Sequence, residues 1–468
     1  MIEPNKARIA LVNTPLLEGV AHHPLFPPLG LAYMAAVLEQ SGFEIRVFDC
    51  PVCEINHNKL KSELASFDPA LVGIGSMTPT IESALKSARV AKEGCPDSKV
   101  VMGGPHATFM DKETLMDEPA LDVVARGEGE ETILELAQQL PGLQNLERVK
   151  GITFRSNDKI IQNAIRPLIQ NLDALPRPAY KYIPVEKYRV AGRKLLPIIT
   201  SRGCPFACSF CVASQMFGAR FRGRNPKYVL DELEWLRDTY GAEGVAFQDD
   251  TLTFDKKRAI EICDGIVERK IRLPWGCGTR ADTVTKEVLA KMRKANCDEI
   301  CFGVESGCQR IRDTLKKRVT TDQCESAIKW AKEEGIFVTV SVILGYPGET
   351  KETLQETLDF VRRVEPDDVW LCHATPYPGT ELRSLVEQNG WKMNSDWKLY
   401  NTMNPIFEDP QLPATDIAKM RKAFYDKFYS PKYVLRQALK GYLKGNMYSK
   451  IMARTSMNYI LWRAKAGV

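Results

Sequence analysis

Ser201-Arg202-Gly203-Cys204-Pro205-Phe206-Ala207-Cys208-Ser209-Phe210-Cys211 follows the strand-like run 196–200 and sets three cysteines in one loop, spaced C-x3-C-x2-C. Three thiolates hold three corners of a cubane iron–sulfur cluster and leave one iron without a protein ligand. An open iron can bind a small molecule and reduce it, whereas a four-cysteine cluster is closed for electron transfer. Two plainer readings compete. Three buried thiols pack well as small hydrophobes. A zinc site is the other, although zinc takes four ligands and usually draws them from paired C-x2-C units.

Outward from this loop the chain alternates strands and helices. Strands are expected at 196–200, 244–248, 273–277, 299–303, 336–343 and 368–373, and helices at 226–240, 256–269, 285–295, 321–334 and 350–363. Six strand–helix units are too few for a closed eight-fold barrel, so a partial, open (β/α)6 barrel is expected, with its site at the strand ends that carry the cysteine loop. Before it, strands at 8–12, 43–48, 71–75, 99–102 and 121–125 interleave with helices at 30–41, 81–93 and 132–139. That pattern predicts an α/β, doubly wound, Rossmann-like parallel sheet whose ligands sit at the carboxyl ends of its strands. There stand Gly75-Ser76-Met77-Thr78-Pro79-Thr80, Gly103-Gly104-Pro105-His106-Ala107-Thr108 and Arg126-Gly127-Glu128-Gly129-Glu130. Such turns let a backbone approach a ligand, and they also occur as plain connectors. The expected division is 1–140 for the first domain, 141–195 for a linker holding a small strand pair, 196–385 for the barrel and 386–468 for a C-terminal helical cap.

The composition is that of a soluble globular protein, 44% hydrophobic and 26% charged over 468 residues. No apolar stretch reaches membrane-spanning length, and residues 1–10 are charged rather than signal-like. Thirteen cysteines without an export signal point to a reducing, cytoplasmic setting that keeps thiols available for metal. The net charge of +5 is uneven: from residue 431 onward there are eight Lys or Arg and no acid, which leaves −3 for the rest.

The cysteine loop, with Phe210 before its last cysteine, resembles the signature of the radical S-adenosylmethionine (radical SAM) enzymes. Phe247-Gln248-Asp249-Asp250-Thr251, Gly303-Val304-Glu305-Ser306-Gly307, Gly345-Tyr346-Pro347-Gly348-Glu349 and Thr375-Pro376-Tyr377-Pro378-Gly379-Thr380 resemble the same family. The N-terminal half is similar to the cobalamin-binding domain fused to one branch of it, through Phe26-Pro27-Pro28-Leu29-Gly30, Gly103-Gly104-Pro105-His106 and Arg126-Gly127-Glu128-Gly129-Glu130. The resemblance implies that Cys204, Cys208 and Cys211 hold a 4Fe-4S cluster whose open iron chelates S-adenosylmethionine. It implies an external one-electron reductant such as ferredoxin or flavodoxin, and a 5′-deoxyadenosyl radical that abstracts hydrogen from an unactivated carbon. By the same resemblance Phe210, Gln248, Asp249, Asp250, Arg280 and Glu305 are SAM contacts. The alternatives are solvated turn acids for Asp249 and Asp250, and a barrel-rim ion pair for Glu305 and Arg280. Cobalamin contacts fall on Ser76, Met77, Thr78, Thr80, Gly103, Gly104, His106, Gly127 and Glu128.

None of the five histidines (His22, His23, His57, His106, His373) has Asp two residues before it, so the D-x-H-x-x-G pattern that supplies a histidine to cobalt is absent. No protein histidine is therefore expected on cobalt, and Ser76-Met77-Thr78 is expected to cover its lower face. His106 either bonds the corrin periphery or caps a turn. Cys50 and Cys53 have C-x2-C spacing without a matching pair; they and Cys297, Cys301, Cys308 and Cys324 are expected to be core or free thiols. The basic segment 432–466 reads as amphipathic helices that dock on an acidic protein or an anionic membrane, or simply as a lid with a solvated face. Its aromatic residues are too sparse among the bases for nucleic acid. The function implied is cobalamin-dependent methylation of an unactivated carbon of a protein side chain or small molecule. Cyclisation or carbon–carbon bond formation on a lipid or tetrapyrrole is the alternative, and a non-catalytic cobalamin and iron–sulfur regulator a third.

Overall fold

The computed structural model describes residues 7–17, 26–157, 159–190, 192–444, 448–450, 452 and 457. His22 and His23 lie outside them, as does most of the chain after 444.

The run Ile9-Ala10-Leu11-Val12 is apolar at every position, the signature of a strand covered on both faces, and it becomes the buried strand β1 (Arg8–Asn13). Around it form β2 (Glu44–Asp49), β3 (Leu71–Gly75), β4 (Lys99–Gly103) and β5 (Val123–Ala125), all parallel, in the order β2-β1-β3-β4-β5. One face packs Leu11, Leu31, Ala35, Leu38, Ile133 and Leu136; the other packs Val12, Leu60, Leu64, Ile81, Ala84 and Ala88. The order reverses between β1 and β3, the crevice where open α/β sheets bind ligands.

The strand pair placed in the linker belongs to this sheet. β6 (Ile152–Ser156) pairs antiparallel with β5, Val123 opposite Phe154, and β7 (Lys159–Gln162) pairs with β6, so the sheet has seven strands. Val149, Ile152 and Phe154 fill its core, which their short alternating pattern did not reveal.

The second half forms β8 (Leu195–Ile198), a short antiparallel ribbon of β9 (Ser201–Arg202) and β10 (Arg222–Gly223), then β11 (Gly244–Phe247), β12 (Trp275–Thr279), β13 (Cys297–Glu305), β14 (Phe337–Leu344) and β15 (Asp368–His373). Its sheet runs β15-β14-β13-β12-β11-β8, entirely parallel, with β8 and β15 unpaired to each other: an open six-stranded barrel. Outward residues such as Ile300, Phe302, Val340 and Val342 are fully buried against Ile328, Ala331, Leu354 and Leu358 of the helices 321–333 and 351–364. Thr320 and Thr350 start those helices by accepting from the amides three residues on.

The free edge of β15 is sealed by tyrosines four residues apart. Leu371 N donates to Tyr425 Oη, Tyr429 Oη donates to Asp368 Oδ1 at 2.5 Å, and Tyr433 Oη donates to the carbonyl of Asp367. These come from the helices Ala414–Phe428 and Pro431–Lys444 and the turn between them. An uncovered strand edge would template pairing with another chain. The second helix turns Tyr433, Val434 and Gln437 inward and pairs Lys440 with Asp367, while Leu435 (62% exposed) and Leu439 face outward. No described helix is long and apolar enough to cross a membrane.

Candidate active site at the barrel mouth

The cysteine loop leaves β9 through Gly203, whose φ of +85° lies in the left-handed region. A Cβ there would sit 2.3 Å from the Arg220 carbonyl and 2.8 Å from that of Phe217, so only glycine fits. Gly203 N donates to Asp250 Oδ2 at 3.0 Å, and Cys204 N to the Gly218 carbonyl at 3.2 Å. Thr251 Oγ1 lies 3.7 Å from Cys204 Sγ, Arg280 Nη1 lies 3.6 Å from Cys208 Sγ, and Ala213 N donates to Cys211 Sγ at 3.5 Å. Burial raises the Cys208 thiol, against the pull of Lys317 and Arg280, and pushes Cys211 up to about 11. Thiols so placed ionise when a cationic centre takes them. Among the described residues no three metal-binding side chains converge on a single-ion site; a cubane does not ask for that, because each thiolate binds its own iron. The donor set fits the cluster.

The acids after β11 have different partners. Asp249 is buried and wholly engaged: it accepts from Thr200 N and Oγ1, Ser201 N and Ser201 Oγ, which fixes the entry to the loop. Burial raises its carboxyl despite those bonds. Asp250 binds the loop at Gly203, and Gln248 is exposed at the mouth. Arg280 is held by Asp282, by the Lys317 carbonyl at 2.6 Å and by stacking 3.5 Å over the Phe206 ring. Glu305, at φ +65° where β13 bulges, pairs with Lys317 at 2.8 Å, both side chains under a tenth exposed. Burial lowers the Lys317 ammonium, but Glu305 and Cys208 more than offset it and its pKa ends above the ordinary value. Lys317 escaped the sequence reading, since it follows β13 in no motif. Phe210 packs into a separate apolar cluster with Tyr346 and Leu382.

On the first sheet, Ser76 Oγ donates to the Gly103 carbonyl at 2.8 Å, and Gly104 (φ +99°) approaches so closely that a Cβ would lie 2.4 Å from Ser76 O. Ser76 and Thr78 are buried while Met77 between them is 56% exposed, and Thr80 Oγ1 closes the turn on the Met77 amide. The loop thus offers a thioether, not a ring nitrogen, at the crevice. His106 is buried, with Nδ1 3.3 Å from Thr78 Oγ1 and its ring edge-on to Trp397; burial lowers it to about 4. His57 bonds Ser83. Glycine-backed turns with one projecting apolar side chain fit a corrin face without a nitrogen ligand. Gly127 N donates to Thr108 Oγ1.

Glu128 does something the sequence did not reveal. Its Oε1 accepts from Arg202 Nη1 at 2.9 Å and its Oε2 from Arg222 Nη1 at 3.0 Å and Ile169 N at 2.7 Å, while Glu130 takes the other arm of Arg202 at 2.5 Å. All four side chains are under a tenth exposed. Burial alone would raise the Glu128 carboxyl, but Arg222 and Arg202 together hold it below the usual range. Its partners flank the cysteine loop on both sides, so it ties the first domain to the barrel.

The lumen is open. Inward positions carry Gln248, Gly278, Cys301, Gly303, Ser341, Trp370 and Cys372, and none is buried, whereas the outward residues between them are. Gly278 pairs with Cys301, and Gly303, Ser341 and Trp370 sit side by side across three strands. A closed barrel fills these positions with bulky branched side chains; here Trp370 is 53% exposed. At the other end the Tyr448 ring lies tilted 6.1 Å from that of Phe337 and, with Glu299, beside Gly276, and burial raises the Glu299 carboxyl to about 8. Cys50, Cys297, Cys308 and Cys324 are buried, and none of the thirteen cysteines forms a disulfide.

A loop of three cysteines over an open six-stranded barrel, clamped through Glu128 to a parallel sheet with a topological switch point, has the architecture of a two-cofactor radical enzyme. Residues 198–361 match the radical SAM superfamily, and residues 22–137 match the B12 binding domain. An uncharacterized methyltransferase of Pyrococcus horikoshii is 34% identical over 89% of this chain and 94% of its own. The anaerobic magnesium-protoporphyrin IX monomethyl ester cyclase of Cereibacter sphaeroides is 32% identical over 89% of this chain and 69% of its own. The structure of the methyltransferase TsrM from Kitasatospora setae, with cobalamin and a [4Fe-4S] cluster bound, has the same fold: TM-score 0.75 at 17% identity, covering 97% of this chain and all of that one. The chain belongs to the cobalamin-dependent radical SAM enzymes, in the methyltransferase-like group with an N-terminal B12-binding domain. Its cofactors are the 4Fe-4S cluster, S-adenosylmethionine and cobalamin.

Proposed function

We propose that this enzyme methylates an unactivated carbon on a neutral, largely apolar group, part of a protein side chain or a small molecule, that enters the barrel lumen. The hollow lumen carries the reading. Its accessible wall includes the uncharged Gly278, Cys301, Gly303, Ser341, Trp370 and Cys372; among the described residues its charges are confined to the Glu305–Lys317 pair over Gly303 and to Glu299 at the far end, and it opens beneath the cysteine loop. When bound, the cluster and cobalamin supply a reductively generated radical and a methyl carrier, which no side chain offers.

The residues of this chain bind and orient. Cys204, Cys208 and Cys211 hold the cluster. Gln248 and Asp250, with the Glu305–Lys317 pair, face the polar groups of S-adenosylmethionine. Asp249 and Arg280 hold the loop to which those groups come. Ser76-Met77-Thr78 would lie beneath a bound corrin, with no histidine as cobalt ligand; an electronic spectrum of the reconstituted protein with histidine-bound cobalt rejects that assignment. The reductant is external, a ferredoxin or flavodoxin, and the setting cytoplasmic. The outward Leu435 and Leu439 support docking of the last described helix on an acidic protein or anionic membrane, although Arg436 and Lys440 are paired inward with Glu365 and Asp367.

Methyl-deuterated S-adenosylmethionine tests the reaction: the product gains a labelled methyl group. Formation of 5′-deoxyadenosine and a transformed but unlabelled product favours ring closure, the second reading, which the similarity to the cyclase of Cereibacter sphaeroides supports.

A further inference from the structure

Beside the cysteine loop lies an open hollow lined by Pro205, Arg220, Phe221, Phe254, Asp255 and Lys256. Phe254 is 39% exposed there. Its ring meets Phe206 edge-on at 5.9 Å and Phe221 at 5.3 Å. Phe206 lies 3.5 Å under the Arg280 guanidinium, whose Nη1 reaches Cys208 Sγ at 3.6 Å. A continuous packed path therefore runs from the bottom of the hollow to a cluster ligand.

The rim is basic. Arg220, Lys256 and Lys257 are exposed, and none forms an ion pair with another described residue. The single acid among them, Asp255, is occupied as a helix cap, accepting from Arg258 N at 3.0 Å. Elsewhere on the barrel exposed bases such as Lys351 and Arg363 are paired, with Asp416 and Glu325, and those unpaired among the described residues (Lys270, Arg272, Lys294, Arg310 and Arg318) do not line this hollow.

We propose that this hollow is the docking face for a small acidic electron-carrier protein, which seats an edge against Phe254 and places acidic residues on Arg220, Lys256 and Lys257. The inference rests on the radical SAM reading, since only an enzyme with a reducible cluster needs such a visitor. The carrier loses one electron and the cluster gains it; no atom or proton has to cross. Charge complementarity of this kind acts mainly on the association rate and is screened by salt.

The test combines Arg220→Glu, Lys256→Glu and Lys257→Glu in the holoenzyme, with Phe254→Ala as a second variant. Calorimetric titration with a flavodoxin at low salt should show affinity falling at least tenfold in both. For the charge variant, flavodoxin-driven S-adenosylmethionine cleavage should fall to match and lose its dependence on ionic strength. Cleavage driven by dithionite, which needs no docking face, should stay within twofold of wild type, and iron content should be unchanged. Undiminished flavodoxin binding by the charge variant overturns the proposal, as does an equal loss with dithionite. Should the binding differences appear while no reductant cleaves S-adenosylmethionine in wild type, the docking face stands and the radical reading falls.

Discussion

Replacing Glu128 by Ala removes the one carboxylate shared by two buried guanidiniums. Arg202 keeps Glu130, but Arg222 is left with the carbonyls of Ile169 and Phe217 and no ion-pair partner, only the more distant Asp250, and Ile169 N loses its acceptor. An uncompensated buried charge costs about 3–5 kcal/mol, and an orphaned buried amide about 1–3 kcal/mol. These share one site and do not add fully, so about 4–6 kcal/mol is expected, a large part of the ~5–15 kcal/mol that holds a typical domain folded. Two-state unfolding does not hold for a chain of several domains. The assay is therefore limited proteolysis in the segment 163–194 together with iron per chain after reconstitution. Cleavage should accelerate and iron content fall together, and Glu128→Gln, which keeps an acceptor but not the charge, should fall between. Because the folded carboxyl is held below its usual range, this stabilisation is fully present above the unfolded pKa of ~4.3 and is lost as pH falls through the lower folded value. Wild type and variant should differ equally from pH 5 to 8 and converge only in stronger acid. Normal proteolysis and iron content, with cobalamin binding alone abolished, would refute the strut and return Glu128 to the corrin contacts.

Gly203→Ala forces a Cβ to 2.3 Å from a backbone carbonyl at φ +85°; the conformational penalty alone is ~1–2 kcal/mol, and iron per chain should drop by more than half in the anaerobically reconstituted protein. Lys317→Met leaves Glu305 buried beside Cys208 without its 2.8 Å partner. The affinity for S-adenosylmethionine, read by equilibrium dialysis, should weaken at least tenfold, whereas Lys317→Arg should recover part of it. Glu232 is fully buried on the helix Pro226–Tyr240, both its oxygens lack a hydrogen-bond partner, and burial raises it from 4.5 to about 7. A carboxyl with a raised folded pKa favours the folded state at low pH, and that advantage is lost as pH rises from the unfolded value through the folded one. Glu232→Gln should therefore raise stability at pH 8 by up to ~3 kcal/mol and flatten the fall in Tm between about pH 4.5 and 7; an unchanged pH profile argues against a neutral Glu232.

What the sequence displayed well were features of local period. Barrel strands such as Val338-Thr339-Val340-Ser341-Val342 announce themselves by β-branched runs, and they fall within a few residues of their expected bounds. Short-range constellations were legible too, since the cysteine loop needs nothing distant to be recognised. Missing were contacts between residues far apart in the chain. Glu128 looked like one more residue of a glycine-rich turn because its partners stand 74 and 94 positions later. The strand pair 152–162 looked detached because pairing with β5 leaves no mark in its own pattern. Asp249 and Asp250 look alike as neighbours, yet one anchors Thr200 and Ser201 and the other the glycine before the first cysteine.

The long-range clamp also explains why a turn of the first domain can matter to the cluster at all. Arg202 lies two residues before Cys204, and Arg222 closes the ribbon on the far side of the loop, opposite Arg202 in register. One carboxylate at the end of β5 thus grips both ends of the segment that carries the three thiols. The turn after β5 and the cysteine loop are joined by a short path through Glu128, Arg202 and Gly203. A buried ion pair of this kind adds little net stability over an apolar contact but accepts only one geometry. Two centres that must share one substrate carbon need that geometry held, and the pair supplies it at the position where a domain hinge would otherwise lie.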